Sequence, residues 1–159
     1  MEIYFLRHGD AVKKSGGKGG DGERPLSTEG TALITRDAGA IALLRLGLDL
    51  IMTSPLVRAR QTAEIVAREF RLPGALAIDE RLAPGFGPNA LLSILREHRA
   101  NTALLLVGHE PDFSQTIAAC IGGGRVECGK GGLARVDLDD PDSIRGTLAW
   151  LLPARVLAP

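Results

Sequence analysis

Two histidines and two arginines in the 159-residue sequence have the types and positions that phosphate chemistry requires. Arg7 and His8 directly follow an apolar run, Arg58 lies near the predicted start of a helix, and His109 follows another apolar run. Guanidinium groups carry a permanent charge and a fork of donors that matches phosphate oxygens. Imidazoles supply a nucleophile and a proton carrier near neutral pH. The four residues predict a phosphate site without a metal ion, since the arginines can neutralise the developing charge.

The elements around these residues are predicted to alternate between strand and helix. Strands are expected near residues 2–6, 48–52, 75–78, 103–107, 133–138 and 146–151. Helices are expected near residues 27–46, 54–70, 89–99 and 112–121, beginning at Ser27, Ser54-Pro55, Asn89 and Asp112. The alternation predicts an α/β fold, a three-layer α/β/α sandwich with a mostly parallel sheet. The last two strands have no helix between them and predict an antiparallel edge.

The predicted topology gathers the candidate residues at one edge of the sheet. Ligand sites of open α/β sheets form at the carboxyl ends of the strands. If the relevant strands are adjacent and parallel, one crevice receives Arg7, His8, Arg58 and His109. A helix start at Ser54-Pro55 would add backbone donors and a favourable dipole. The arginines are expected to disfavour protonation of His8 and keep its lone pair free.

The bulk composition is that of a water-soluble globular protein with one domain spanning residues 1–159. Hydrophobic residues make up 45% of the chain and charged residues 24%, and 19 basic residues balance 19 acidic ones. This balance argues against nucleic acid or an anionic membrane as a partner. The two cysteines, Cys120 and Cys128, are predicted to be reduced and partly buried. The N-terminus does not resemble a signal peptide, and no apolar run would span a bilayer, so a cytoplasmic location is expected.

Three segments carry a family resemblance. They are Leu6-Arg7-His8-Gly9, Thr53-Ser54-Pro55-Leu56-Val57-Arg58-Ala59-Arg60-Gln61-Thr62-Ala63 and Val107-Gly108-His109-Glu110-Pro111. In this order they resemble the motifs of the histidine phosphatase superfamily, also called the phosphoglycerate mutase-like superfamily. The resemblance implies that His8 accepts the phosphoryl group and that Arg7, Arg58 and His109 complete the phosphate pocket. It further implies a phosphate contact from the Glu110 backbone N–H and a phosphoglycerate mutase-like fold without cofactors.

The start of the chain is similar to one branch of that superfamily. Arg7–Ala11, followed by Asp21–Ser27 and Gly30, resembles the SixA branch of phosphohistidine phosphatases. By that likeness Arg24 is a further phosphate contact and Asp21 orients it, while a plain surface role for Arg24 stays equally open. The glycine-rich stretch 16–22 lacks the spacing of a nucleotide-binding phosphate loop and is predicted to be a mobile lid or rim.

One departure from the family pattern bears on the substrate. Pro84 occupies the position where mutases and many small-molecule phosphatases of the superfamily carry a carboxylate, and Glu80 is the nearby residue that could substitute. An alcohol leaving group needs a proton from such an acid, whereas a phosphorylated imidazole needs less help. The hypothesis is therefore a phosphatase of phosphohistidine on a carrier protein. A phosphatase of small phosphomonoesters and a non-catalytic phosphate-binding protein are the alternatives, and the intact His8 argues against the second.

Overall fold

The computed structural model describes residues 1–13, 20–140 and 142–154 of the chain. The strands are β1 (Glu2–Arg7), β2 (Leu50–Thr53), β3 (Leu76–Ile78), β4 (Ala103–Gly108), β5 (Leu133–Leu138) and β6 (Gly146–Leu152). The helices are α1 (Thr28–Leu43), α2 (Val57–Glu69), α3 (Pro88–Glu97) and α4 (Asp112–Cys120), with short 3-10 turns at Asp21–Glu23, Pro73–Ala75 and Glu80–Leu82. Most of the glycine-rich stretch 16–22 lies outside the described residues, so its role as lid or rim stays a prediction.

The six strands form one mixed sheet in the order β3-β2-β4-β1-β5-β6. β1, β2, β3 and β4 are parallel to one another, whereas β5 pairs antiparallel with β1 and β6 pairs antiparallel with β5. The predicted parallel sheet with an antiparallel edge is therefore confirmed. The carboxyl ends of β1, β2 and β4 lie side by side at one edge.

Helices cover both faces of the sheet and complete the three-layer sandwich that the alternation predicted. Side chains alternate between the two faces of a strand. Ile3 and Phe5 of β1 accordingly join the core beneath α3 and α4, while Tyr4 and Leu6 join the core beneath α1 and α2. All four side chains are at most 1% exposed, so β1 is buried on both faces. This burial makes β1 a firm support for the residues that follow it.

The start of α1 was predicted correctly, but the start of α2 was not. Ser27 is the N-cap of α1, and its hydroxyl accepts from the Gly30 N–H at 2.9 Å; the helix ends at Leu43, three residues before the predicted end. In α2 the N-cap is Leu56, two residues beyond Ser54. The Ser54 hydroxyl accepts from the Leu56 N–H at 3.3 Å and forms a turn ahead of the helix. The N-terminus of α2, with its dipole and its backbone donors, therefore lies beyond the predicted position at Ser54-Pro55. Arg58 nevertheless lies in the first turn of α2.

Two further helix caps differ from the prediction. Gly87 is the N-cap of α3 because Pro88 takes the first helical position, where its fixed φ and missing N–H suit a helix start, so Asn89 is not a cap. Pro111 is the N-cap of α4, and Asp112 is the first helical residue. The Asp112 carboxylate instead accepts from the Gly85 N–H at 2.7 Å. Polar residues at the first or second position of a helix were thus mistaken for its cap.

Two other observations concern the cysteines and the possibility of a membrane-spanning helix. Cys120 and Cys128 are both free and buried, in keeping with the predicted reduced thiols. Within residues 1–13, 20–140 and 142–154, no helix combines the length and the apolar character needed to cross a membrane.

Candidate active site

Arg7, His8, Arg58 and His109 lie together where β1, β2 and β4 end. The pairing of Arg7 with Gly108 and of Thr53 with Val107 brings the three strand ends level. The rings of His8 and His109 face each other across this edge, with centroids 5.1 Å apart and planes inclined at 59°. These residues therefore meet at the carboxyl edge of the sheet, as the predicted topology requires.

The His8 ring is held in one tautomer by two hydrogen bonds. Its Nδ1 lies 2.6 Å from the Gly9 carbonyl oxygen, which can only accept, so Nδ1 carries the hydrogen. Its Nε2 accepts from the Arg58 Nε–H at 3.1 Å. The ring is consequently neutral, and its lone pair lies on Nε2 beside a fixed positive charge. This is the arrangement that a nucleophilic imidazole requires.

The surroundings of His8 also keep it neutral below physiological pH. Burial lowers the pKa of His8 to about 4, and the positive charges of Arg58 and Arg7 act in the same direction. The predicted effect of the arginines on the pKa is confirmed in sign. Burial is nevertheless the larger cause, and it could be recognised only once the fold placed His8 beneath the edge of the sheet.

The second imidazole has a looser environment. Nε2 of His109 lies 2.7 Å from the Ser54 hydroxyl oxygen. Its Nδ1 is buried and has no hydrogen-bond partner in the described part of the chain. Burial, followed by the proximity of His8 and Arg58, lowers the pKa of His109 to about 3. Because a hydroxyl can donate or accept, His109 can take either tautomer and could carry a proton.

Arg58 is anchored by a carboxylate from the loop before α1. Its side chain is 8% exposed, and it donates from Nη2 to Asp21 Oδ2 at 3.0 Å and from Nη1 to the Asp21 carbonyl at 2.8 Å. Arg24 donates from Nη1 to the other oxygen, Asp21 Oδ1, at 2.7 Å. The Asp21 carboxylate thus contacts Arg24, as predicted, and its bond to Arg58 was not predicted from the sequence. A phosphate contact from Arg24 stays a prediction.

The remaining predicted residues, Arg7 and Glu110, lie at the same edge of the sheet. Arg7 donates from Nη1 to the Cys128 carbonyl at 2.9 Å, and its buried Nε has no partner among the residues described. The Glu110 carboxylate accepts from the Ser114 N–H at 3.2 Å in the first turn of α4. This contact holds the Glu110 side chain against the helix and leaves its predicted backbone contact with phosphate untested.

Three supporting contacts were not predicted from the sequence. The Thr62 hydroxyl accepts from the Gly9 N–H at 3.2 Å and donates to the Arg58 carbonyl at 2.8 Å, which ties the loop after His8 to α2. Ser54 was interpreted as a helix cap, although its place directly after a strand was the signal for its contact with His109. Gly30 allows α1 to approach the same loop, because a Cβ there would lie 2.1 Å from the Asp10 carbonyl oxygen.

The position of Glu80 bears on the question of an acid. Glu80 begins the short turn after β3 and is exposed, as is Pro84. Among residues 1–13, 20–140 and 142–154, no carboxylate hydrogen bonds to the ring of His8 or His109. The same residues contain no group of three or more His, Cys, Asp or Glu side chains that could hold a metal ion.

Comparison with known protein families agrees with this geometry. The family model described as the histidine phosphatase superfamily (branch 1) matches residues 3–84, more than half of the chain. The chain belongs to the histidine phosphatase superfamily. The matched residues include Arg7, His8 and Arg58, whereas His109 lies beyond them. The structure therefore brings His109 next to the site residues that the family match covers.

Two individual relatives are similar to this histidine phosphatase superfamily member over 70% or more of their own length. An uncharacterized protein from Picosynechococcus is 40% identical over 117 residues, 72% of this chain and 70% of the relative. The phosphohistidine phosphatase SixA of Escherichia coli is 28% identical over 154 residues, 94% of this chain and 92% of the relative.

Solved structures share the fold. A structure of the protein histidine phosphatase SixA complexed with tungstate superposes with a TM-score of 0.86 at 25% identity, covering 98% of both chains. Phosphatases named for α-ribazole-5′-phosphate and for glucosyl-3-phosphoglycerate, 20% and 16% identical, share the fold alone. The comparisons thus agree on a phosphatase superfamily and include members that act on different substrates.

Proposed function

We propose that this protein removes the phosphoryl group from a phosphohistidine on a carrier protein and that His8 is its nucleophile. The observation that carries the proposal is the fixed tautomer of His8, whose lone pair lies on Nε2 beside the Arg58 guanidinium. A pocket that only bound phosphate would have no use for an imidazole held in this state. The likeness to SixA over nearly the whole chain supports the same substrate class.

The first step is the docking of the phosphoryl group between Arg7, Arg58 and His109. The Arg58 Nε–H, which now donates to His8 Nε2, turns to a phosphate oxygen and frees the lone pair. Asp21 holds the other side of the guanidinium during this exchange. The two arginines then neutralise the charge that develops on the phosphoryl oxygens, so this chemistry relies on positioning and electrostatics.

The second step transfers the phosphoryl group to the enzyme. The Nε2 lone pair of His8 forms a bond to phosphorus in line with the bond that breaks, and the electron pair of that bond stays on the leaving nitrogen of the substrate imidazole. The leaving nitrogen takes a proton from water, either directly or through His109, which gains one proton from water as it gives up another and so stays neutral. Water then attacks the phosphorus on His8, releases phosphate and restores the neutral ring.

Among the described residues no carboxylate hydrogen bonds to either imidazole, and the nearby Asp21 carboxylate is bound by Arg58 and Arg24, which supports an imidazole rather than an alcohol as the leaving group. An alkoxide leaves poorly unless an acid protonates it, and the exposed Glu80 makes no hydrogen bond to either ring. A phosphorylated imidazole leaves without that help.

The cytoplasmic location and the single domain stay predictions.

The test compares two substrates under the same conditions. Purified protein is mixed with a carrier domain that bears phosphohistidine and, separately, with a sugar monophosphate, and phosphate release is followed. We expect turnover of the carrier domain that exceeds turnover of the monoester by orders of magnitude. Comparable rates on the two substrates would refute the substrate assignment, and binding without turnover would refute the enzymatic role.

A Glu80→Gln variant separates the two kinds of phosphatase. If the leaving group needs no acid, the variant retains the wild-type rate on the carrier domain within about twofold, as expected for an exposed surface change. A loss of orders of magnitude in kcat on the sugar monophosphate, with an active wild type, would identify Glu80 as an acid and favour the small-molecule alternative.

A further inference from the structure

The two arginines of the candidate active site are held by different kinds of group. Arg58 donates to the Asp21 carboxylate, whose negative charge offsets part of its own. Arg7 donates from Nη1 to the Cys128 carbonyl at 2.9 Å and forms no ion pair within the described residues. Because a carbonyl has no net charge, this anchor leaves the charge of Arg7 to a bound oxyanion. The direction of the Arg7 guanidinium therefore depends on what fixes Cys128.

The residues just before β5 wrap around Arg7. The Gly131 N–H donates to the Arg7 carbonyl at 3.2 Å, and the Arg7 N–H donates to the Gly132 carbonyl at 3.1 Å. The Gly132 N–H in turn donates to the Gly129 carbonyl at 2.9 Å and closes a tight turn over residues 128–132. Together with the Cys128 contact, these bonds attach both the backbone and the guanidinium of Arg7 to the 128–132 turn.

A side chain of α4 holds the first residue of this turn. The Ser114 hydroxyl oxygen accepts from the Cys128 N–H at 3.0 Å. Ser114 is 8% exposed and Cys128 is 0% exposed, so the bond is shielded from water. A buried N–H that lost its acceptor would be left unpaired at a cost in free energy, and the turn would shift to relieve it. Since the N–H and the carbonyl belong to the same residue, such a shift would also move the carbonyl that holds Arg7.

The Ser114 hydroxyl serves this turn and not its own helix. At the start of α4 the Glu110 carboxylate accepts from the Ser114 N–H at 3.2 Å, so the capping contact comes from Glu110. Serine forms helices less well than alanine, so α4 by itself does not need the hydroxyl. Because α4 follows His109 closely, the bond from Ser114 to Cys128 connects the His109 side of the site to the Arg7 side.

We propose that Ser114 is a positioning residue for Arg7. Its hydroxyl fixes Cys128, and the Cys128 carbonyl directs the Arg7 guanidinium towards the bound phosphoryl group. The inference rests on the proposed function only in taking Arg7 as a phosphate ligand. Ser114 acts through Cys128 and has no contact of its own with the substrate, so its loss should weaken oxyanion binding without abolishing it.

The first test measures the binding of tungstate, a tetrahedral oxyanion shaped like phosphate, by calorimetric titration of the full-length protein. Ser114→Ala should weaken the affinity by about three- to tenfold, because Arg7 keeps its charge but loses its fixed direction. Thr116→Val is the matched control and should bind as the wild type does. Thr116 lies on the same helix and is buried, and its hydroxyl has no partner among the described residues.

A double-mutant cycle shows whether Ser114 acts through Arg7. Arg7→Ala should weaken tungstate binding by about ten- to hundredfold, as expected for the loss of a charged hydrogen-bond donor. In that background Ser114→Ala should cause no further loss beyond about twofold, because the group that it positions is gone. If the two losses are instead additive, Ser114 supports the fold in general and the proposal is wrong.

The pair Ser114→Thr and Ser114→Val repeats the comparison with two side chains of the same shape, of which threonine alone keeps the acceptor oxygen. Ser114→Thr should bind tungstate within about twofold of the wild type, whereas Ser114→Val should lose about as much as Ser114→Ala. This pair also decides the matter if Ser114→Ala does not fold. Equal affinities of the pair would overturn the proposal, as would a wild type that fails to bind tungstate.

Phosphate release from the phosphohistidine carrier, measured with the same proteins, tests the proposed function separately. A wild type that binds tungstate but leaves the carrier phosphorylated would refute the proposed function. The tungstate affinities would still decide the role of Ser114, because they depend on the oxyanion and not on the leaving group.

Discussion

The two imidazoles of the site occupy opposite kinds of hydrogen-bonding environment. His8 has both ring nitrogens engaged, Nδ1 by the Gly9 carbonyl and Nε2 by Arg58. His109 has one nitrogen beside the Ser54 hydroxyl and the other without a partner among the described residues. Both rings are buried and neutral at physiological pH, so their difference is one of tautomeric freedom and not of charge.

One kind of side chain can therefore serve two roles in the same site. A carbonyl can only accept, so it fixes the tautomer of its partner, whereas a hydroxyl allows both. A nucleophile needs its lone pair at one atom, and a proton carrier needs to gain and lose a proton at the same atom. The hydrogen-bond partners therefore assign His8 to attack and His109 to proton movement within the proposed mechanism.

The largest effect is expected from His8→Ala. Loss of the nucleophile should lower phosphate release from the phosphohistidine carrier by about 10⁴-fold or more, and the phosphorylated enzyme intermediate should disappear. His98→Ala, which removes the histidine that ends α3, is the control and should react as the wild type does. A His8→Ala enzyme that still forms the intermediate would show that the nucleophile is another group.

A smaller loss is expected from His109→Asn. Removal of a proton carrier should lower kcat by roughly 10²–10⁴-fold while the intermediate still forms on His8, more slowly. Rapid quenching in alkali, where phosphohistidine survives, measures that intermediate. If His109→Asn abolishes the intermediate as completely as His8→Ala does, the division of roles between the two rings is wrong.

A smaller loss still is expected from Asp21→Asn, which weakens the anchor of Arg58. We expect a fall of about tenfold in kcat/KM, because a charged hydrogen bond to the guanidinium becomes a neutral one. Asp137→Asn breaks a comparable arginine contact on β5, away from the pocket, and should leave kcat/KM unchanged. An unchanged kcat/KM in Asp21→Asn would mean that Arg58 is positioned without this carboxylate.

The smallest predicted effect is the pH dependence of the free energy of unfolding, to which both rings contribute in the same direction. The folded protein holds His8 and His109 with pKa values of about 4 and about 3, below the ordinary value of 6.5, so the unfolded chain takes up protons first as the pH falls. The free energy of unfolding should therefore be constant above pH 6.5 and decline between pH 6.5 and 4, by roughly 1–2 kcal/mol per histidine at pH 5.

Urea denaturation at pH 7.5 and pH 5 measures this decline. His8→Gln should lose less stability than the wild type over the same interval, because glutamine does not titrate. An equal loss in the two proteins would show that His8 is not held neutral by the fold.

The site was predictable where local sequence decides the position of a side chain. Apolar runs followed by polar residues marked the strand ends that carry His8 and His109, and the start of α2 was close enough to place Arg58 in its first turn. Helix caps were less predictable, because Ser54 and Asp112 have cap chemistry but make tertiary contacts with His109 and Gly85. The bonds of Asp21 and Thr62 to Arg58 join residues far apart in the chain or depend on side-chain rotamers, and no sequence pattern shows them.

The position of β1 affects how often different parts of the site open through local unfolding. Since β1 lies between β4 and β5 and is buried on both faces, its amides are expected to exchange with solvent only when the whole sheet opens. Asp21 lies in an exposed short turn, which we expect to open more often than the sheet does. His8 is thus attached to the slowest-exchanging part of the molecule and the anchor of Arg58 to a faster one. Thermal fluctuations should release the arginine many times for each time they release the nucleophile.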